Sequence, residues 1–283
     1  MKLVRHGAPG KERPGFLDST QVVRDLSALI PDWTPAQLTP DTLARLTELN
    51  PLELPAVPAG TRLGVPLSGI GKFIGIGLNF KDFALAAQRP LPAEPALFTK
   101  AISCLTGPND DVMLPRGSTS TDWEVELGVI IGRTARYVER SEALEFVAGY
   151  CLVNDLTERD YQNNRGGTWD KGKGCDTFGP VGPWLVTPEE LCDPQDVELW
   201  LEVNGVRHQS GHTRNMIFPI GDLIAYVSQF VTLQPGDLIT TGTPAGVGSG
   251  LKPPIFLQPG DSMRLGSSWL GVQQHRVTEW RRT

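Results

Sequence analysis

Glycine and proline interrupt this chain from end to end: 31 glycines and 24 prolines stand among its 283 residues. Proline removes a backbone donor and clashes inside a helix, and glycine weakens one, so the apolar runs between them read as short strands separated by turns. Strands are expected at Met1 to Val4, Gly15 to Leu17, Gln21 to Asp25, Lys72 to Asn79, Asp122 to Gly132 and Ala148 to Val153. Val197 to Arg207 alternates apolar and polar residues around Asn204-Gly205, which is a hairpin signal. A Pro-Gly-Asp turn precedes a strand twice, at Pro235 and at Pro259. Helical spacing is confined to Thr39 to Leu49, with Thr39-Pro40 as its start signal, Ser141 to Phe146, and Phe218 to Phe230. The fold class that follows is α+β and β-rich. The proline-rich segment Pro51 to Pro58 closes a different-looking first section, so a small N-terminal domain is expected over residues 1–66 and a larger domain over 67–283.

The charge balance narrows the partners. A net charge of -6 without a lysine or arginine cluster argues against nucleic acid and against an anionic membrane. No apolar run approaches the roughly 20 residues needed to cross a bilayer, and Met1 to His6 lacks the apolar stretch of a signal peptide, so a cytoplasmic protein is expected. Cys104, Cys151, Cys175 and Cys192 are far apart without a C-x-x-C pattern, which signals free thiols rather than disulfides or zinc.

Glu124 and Glu126 sit two apart in the apolar run Asp122 to Gly132, so a strand would point both carboxylates out of one face. A second apolar run ends at Asn154-Asp155 and would add a third carboxylate if it lay alongside. Three hard anionic ligands with no neighbouring histidine or paired cysteines favour Mg²⁺, Mn²⁺ or Ca²⁺ over zinc. The competing reading is the solvated face of an ordinary half-buried strand.

Further segments follow in one order: Asn154 to Gln162, Gly172 to Trp184, and Thr241 to Gly248. With the paired glutamates they make the chain resemble the fumarylacetoacetate hydrolase family from about Lys72 to Val277. Within that family, Gly166 to Phe178 is similar to members acting on 2,4-diketo-3-deoxy-L-rhamnonate or fuconate. The resemblance implies a mixed β-roll catalytic domain, a homodimer, and a small-molecule 2-oxo or 2,4-dioxo acid as substrate. It also implies Glu124, Glu126 and Asp155 as ligands of Mg²⁺ or Mn²⁺, with Ca²⁺ as a third option, and Lys173 as the catalytic lysine. Thr243, Arg159, Gln162 and Phe83 are candidates for substrate binding, Arg159 having an ion pair with Glu158 or Asp160 as its equal alternative. Asp122 is a candidate for support of the ligands.

One departure bears on the reaction. Where the family carries a histidine and a glutamate that activate water, the aligned residues here are Phe83 and Ala86, which accept no proton. His208 and His212, read as loop residues, are candidates for a replacement base. A C–C bond hydrolase of acylpyruvase or diketo-deoxy sugar acid type is the first expectation. A non-hydrolytic keto–enol tautomerase, isomerase or 2-oxo acid decarboxylase is the alternative.

Overall fold

A computed structural model describes residues 1–282. Nine strands form one sheet in the order Val23–Asp25, Arg13–Leu17, Lys2–His6, Leu185–Val186, Val147–Asn154, Val125–Ile131, Leu238–Thr240, Phe73–Gly77 and Ala96–Thr99. Its middle is antiparallel, with Val125–Ile131 between Val147–Asn154 and Leu238–Thr240, and only Leu238–Thr240 and Phe73–Gly77 run parallel. A second sheet of five strands orders Val206–His212, Glu198–Val203, Ser262–Ser267, Gly271–Thr278 and Val112–Met113. The fold is α+β and β-rich, as the density of turn residues requires.

Polar bridges tie the second sheet to the centre of the first. Gln209 accepts from the Val125 N–H at 3.0 Å, and Gln273 donates to the Leu152 carbonyl at 2.9 Å. Both glutamines are fully buried, so each satisfies backbone groups that would otherwise be stranded away from water. All seven residues of Val125–Ile131, which carries Glu126, are buried, as are all eight of Val147–Asn154, and Glu124 just before the strand is buried too. A solvated strand face is thereby excluded.

The first section contributes three strands to the edge of the large sheet, with Leu3 paired to Leu185, and Leu3, Phe16, Leu26 and Trp33 lie in the same core as Val129 and Leu152. Residues 1–66 thus share sheet and core with 67–283. The helix expected from Thr39 spans Pro40–Thr47, with the Thr39 hydroxyl accepting from the Thr42 N–H at 3.2 Å. Ser141 to Phe146 shortens to a 3₁₀ turn at Ala143–Phe146, and the later helix occupies Ile220–Val227. Asn204 and Gly205 take φ of 50° and 78° and close the expected hairpin. His208 and His212 are a correction: they lie in the strand Val206–His212, because the register across that hairpin continues past the turn.

Candidate active site and metal centre

Strand register builds the carboxylate cluster. Glu126 faces Val153 across the antiparallel ladder, and two residues further on the Asp155 N–H donates to the Glu124 carbonyl at 2.9 Å. Asp155 therefore lies opposite Glu124, and directly opposed residues share a face. A slip of one residue would send the aspartate to the other face. One oxygen from each of Glu124, Glu126 and Asp155 lies within 4.8 Å of the others, and the residues are only 6%, 1% and 0% exposed. Asn154 secures the junction by accepting from the Glu124 N–H at 3.1 Å.

Three cations meet these anions. Lys173 closes a single helical turn, Asp170–Lys173, and its Nζ donates to Glu124 Oε2 at 2.6 Å and Asp155 Oδ2 at 2.5 Å. Gly172 permits this placement, since a Cβ there would stand 2.5 Å from the Glu158 carbonyl oxygen and 2.7 Å from the Gln162 nitrogen. Lys100, fully buried just past the strand Ala96–Thr99, donates to Asp155 Oδ1 at 2.6 Å, to the Leu156 carbonyl at 3.2 Å, and to the Lys173 carbonyl. Arg159 donates through Nη2 to Glu124 Oε1 at 2.7 Å and through Nε to Asp122 Oδ2 at 2.8 Å. Its partners are thus Asp122 and Glu124, neither Glu158 nor Asp160.

These neighbours push the proton affinities apart. Burial, reinforced by the charges of Asp155 and Glu124, raises the Glu126 carboxyl well above the ordinary range despite Lys173 and the Gly242 N–H. Burial also opposes ionisation of Asp155, but Lys100 and Lys173 outweigh it and hold that carboxyl below its usual value. For Lys173, burial favours loss of the proton, yet Asp155 and Glu124 reverse the balance and raise its pKa. The cluster so holds a carboxyl that resists ionisation beside an ammonium that retains its proton.

The threonine loop lies against the same strand. Thr241 donates from its N–H and its hydroxyl to the Leu127 carbonyl, and the Thr243 hydroxyl donates to the Val125 carbonyl at 2.9 Å while accepting from Gln209 at 2.8 Å. Between them the Gly242 N–H donates to Glu126 Oε2 at 2.9 Å. Gly242 has φ of +92°, and a Cβ on it would come within 2.9 Å of the Asn79 Cβ, so glycine is required there. Asn79 donates to the Thr241 carbonyl at 2.8 Å and accepts from the Phe218 N–H at 2.8 Å, fixing the end of Phe73–Gly77 to this loop.

A cavity of about 520 Å³ opens onto the cluster, lined by Glu124, Glu126, Lys173, Arg159, Gln162 and Thr243. Phe83, Ala86, Phe98 and Trp169 supply apolar walls, and Lys173 Nζ stands 4.7 Å from the Phe98 ring centroid. Gln162 accepts from Arg159 Nη1 at 3.1 Å, so the two are joined in the cavity lining. Asp122 is support rather than lining: it accepts from the N–H groups of Gly248 and Ser249 at 2.6 and 3.0 Å and anchors the loop that borders the cavity. His208 and His212 line no part of it. His208 packs on Trp123 with ring centroids 5.0 Å apart, and His212 is engaged by Arg214. Sequence reasoning missed Lys100 and Asn79, whose importance comes from partners at separations of 55 and 162 residues.

Three carboxylate oxygens within 4.8 Å of one another, without a sulfur or imidazole donor, fit a hard divalent cation. No helix among the described residues is long and apolar enough to cross a membrane.

Known proteins resemble this chain in sequence and fold. The model of the fumarylacetoacetate (FAA) hydrolase C-terminal family matches residues 72–278. A protein of Burkholderia ambifaria (strain MC40-6), provisionally named a hydrolase, is 55% identical over 274 residues, covering 96% of this chain and 97% of its own. Among solved structures, maleylpyruvate hydrolase from Sphingobium sp. SYK-6, in complex with manganese(II) and pyruvate, superposes with a TM-score of 0.83 at 29% identity, covering 99% of this chain and 100% of its own. The 5-carboxymethyl-2-hydroxymuconate delta-isomerase of Mycobacterium smegmatis gives 0.79 at 31% identity with 100% of both chains covered.

Proposed function

The chain belongs to the fumarylacetoacetate hydrolase family, and from that premise we propose that it is a divalent-metal-dependent enzyme that relocates a proton in a 2-oxo or 2,4-dioxo acid. Glu124, Glu126 and Asp155 would hold Mg²⁺ or Mn²⁺. When bound, the ion supplies Lewis-acid polarisation of a 2-oxo carboxylate. The remaining work falls to side chains of this chain.

Lys173 carries the reading. Its Nζ lines the cavity beside Glu124 and Asp155, 4.7 Å from the Phe98 ring centroid. An ammonium there would deliver a proton to the carbon next to a bound ketone or offset charge on the oxygen of a developing enolate. Gln162, held by Arg159, would contact the substrate from the cavity wall, and Thr243, whose hydroxyl hydrogen is committed to the Val125 carbonyl, can only accept. Hydrolysis needs in addition a group that activates water. Phe83 and Ala86 line the cavity where the family carries that pair, and His208 and His212 lie elsewhere, which favours tautomerase or isomerase chemistry. C–C bond hydrolysis of acylpyruvase or diketo-deoxy sugar acid type is the second reading, supported by the names of the Burkholderia and Sphingobium relatives.

Proton NMR in D₂O with Mg²⁺-loaded protein and a panel of acylpyruvates, oxaloacetate and 2,4-diketo-3-deoxy sugar acids tests both. Deuterium entering beside the ketone, or tautomer interconversion without cleavage, is the expected result. Release of pyruvate and a partner acid would replace it with the hydrolytic reading.

A further inference from the structure

We propose that an open cleft of about 300 Å³ at the N-terminal hairpin is a binding site for a small carboxylate or phosphate anion, held by Lys11, Arg13 and the His6 imidazole. The cleft is separate from the catalytic cavity, and no residue lines both.

Strand register builds the cleft. Lys2–His6 and Arg13–Leu17 pair antiparallel with His6 opposite Arg13, so the imidazole and the guanidinium meet at the end of the hairpin, and Lys11 lies on the segment that joins the strands. Both cations are exposed, and among the described residues neither makes a side-chain hydrogen bond or an ion pair. Glu12, the carboxylate between them in sequence, is engaged instead by Arg5 and Arg62.

His6 adds an independent observation. It is only 6% exposed, and its Nε2 is buried with no hydrogen-bond partner. Asp25 Oδ2 stands 3.4 Å from that nitrogen without forming a hydrogen bond, while Asp25 Oδ1 accepts from the Ser27 N–H at 2.7 Å. So close a carboxylate favours the tautomer that carries its proton on Nε2, which leaves a buried donor in want of an acceptor. Burial lowers the ring's pKa despite Asp25, so at neutral pH the imidazole is uncharged. The cleft then holds two positive charges, Lys11 and Arg13, against the one negative charge of Asp25, in a chain whose net charge is -6.

The frame around these groups is fixed. Gly7 donates to the Arg62 carbonyl at 2.8 Å and accepts from Arg62 Nη1 at 3.1 Å, and Arg62 is itself clamped by Asp110 at 2.7 and 2.6 Å. On another side the Asp25 N–H donates to the Pro55 carbonyl at 2.9 Å and the Val57 N–H to the Val23 carbonyl at 2.8 Å. Those bonds hold Pro55 to Pro58 as the apolar part of the lining. Anionic oxygens suit the two cations and the unmet N–H, and a short carbon skeleton suits the proline wall. A cation is repelled by Lys11 and Arg13, and a neutral ligand leaves both without a counter-charge.

The protein has four histidines, so imidazole ¹⁵N resonances give a simple readout that needs no turnover. Sodium phosphate and sodium succinate are titrated, at fixed pH and ionic strength, into Mg²⁺-loaded protein labelled with ¹⁵N-histidine. A saturable shift of one resonance is expected, and His6→Asn identifies it. Anion held in the catalytic cavity leaves this signal in place, since His6 does not line that cavity. Lys11→Gln and Arg13→Gln should each weaken the affinity by about tenfold, the scale of a hydrogen bond to a charged group. Arg136→Gln, an exposed arginine outside the cleft, should not change it. Saturation by either anion supports the site and tells which oxygen chemistry it takes. A His6 signal that stays still, as it would if an ordered water alone met Nε2, overturns the proposal. So does a shift that never saturates, or equal weakening in Arg136→Gln. Should His6→Asn not fold, the affinities of the exposed Lys11 and Arg13 variants decide on their own.

Discussion

Replacing Lys173 by methionine keeps much of the side-chain bulk and deletes one charge at 2.6 and 2.5 Å from two buried carboxylates. Two consequences follow, with opposite dependence on metal. Breaking a buried, hydrogen-bonded ion pair by removing one partner costs roughly 3–5 kcal/mol, because the remaining charge is uncompensated. Glu124, Glu126 and Asp155 would face one another with only Lys100 and Arg159 to balance them, so thermal unfolding without added metal should shift strongly downward. A divalent ion restores the balance. At a hundredfold excess over its dissociation constant it returns about 2.7 kcal/mol by mass action alone. Metal affinity should hold or rise, since the lysine no longer competes for Glu124 Oε2 and Asp155 Oδ2. Turnover should not recover. Positioned proton transfer contributes about 10²–10⁴-fold, equivalent to roughly 3–5 kcal/mol of barrier. The assay pairs calorimetry and thermal unfolding, with and without Mg²⁺, with steady-state rates on whichever substrate the NMR panel identifies. A metal-loaded variant working at nearly the wild-type rate would refute the role given to Lys173.

Glu126→Gln should leave the metal-free protein at least as stable as wild type, because the amide keeps an acceptor for Gly242 without the buried charge, while Mg²⁺ affinity in calorimetry drops by more than the roughly 10–100-fold typical of losing a ligand's outer partner. Gly242→Ala should cost about 1–3 kcal/mol in denaturant unfolding, as φ of +92° and the contact with Asn79 strain any side chain; an unaltered midpoint would mean the loop relaxes freely. Asp18 accepts from Thr20 Oγ1 at 2.7 Å, the N–H groups of Thr20 and Val22, and Arg24, which hold its carboxyl well below the ordinary range. Its contribution is therefore complete above the ordinary carboxylate pKa and is lost as pH falls below it toward the folded value. Asp18→Asn should flatten the acid limb of the melting temperature between neutral and strongly acidic pH, and an identical limb in both proteins would remove Asp18 from the account.

Local pattern carried much of the site. Two glutamates at a spacing of two in extended backbone point the same way, and they do so here although the strand expected from Asp122 begins only at Val125, with Glu124 just before it. The order of motifs placed Asp155, Lys173 and Thr243 beside them, and in the structure Lys173 and Thr243 line one cavity with the glutamates while Asp155 lies buried behind, bonded to Lys173. Thr39, Asn204 and Gly205 fixed a helix start and a turn for equally local reasons. What the sequence could not say is what covers a face. Burial of the glutamate carboxylates comes from Lys173, Arg159 and the Gly242 N–H, brought to them from segments remote in the chain. Lys100 is an unremarkable lysine until the register of Ala96–Thr99 against Phe73–Gly77 brings it to Asp155. His208 and His212 looked available for catalysis and were carried off on a strand. Backbone stereochemistry decides locally which side chains point together, and a carboxylate's ionisation, partners and metal preference depend on charges and dielectric brought within a few ångströms by residues remote in the chain.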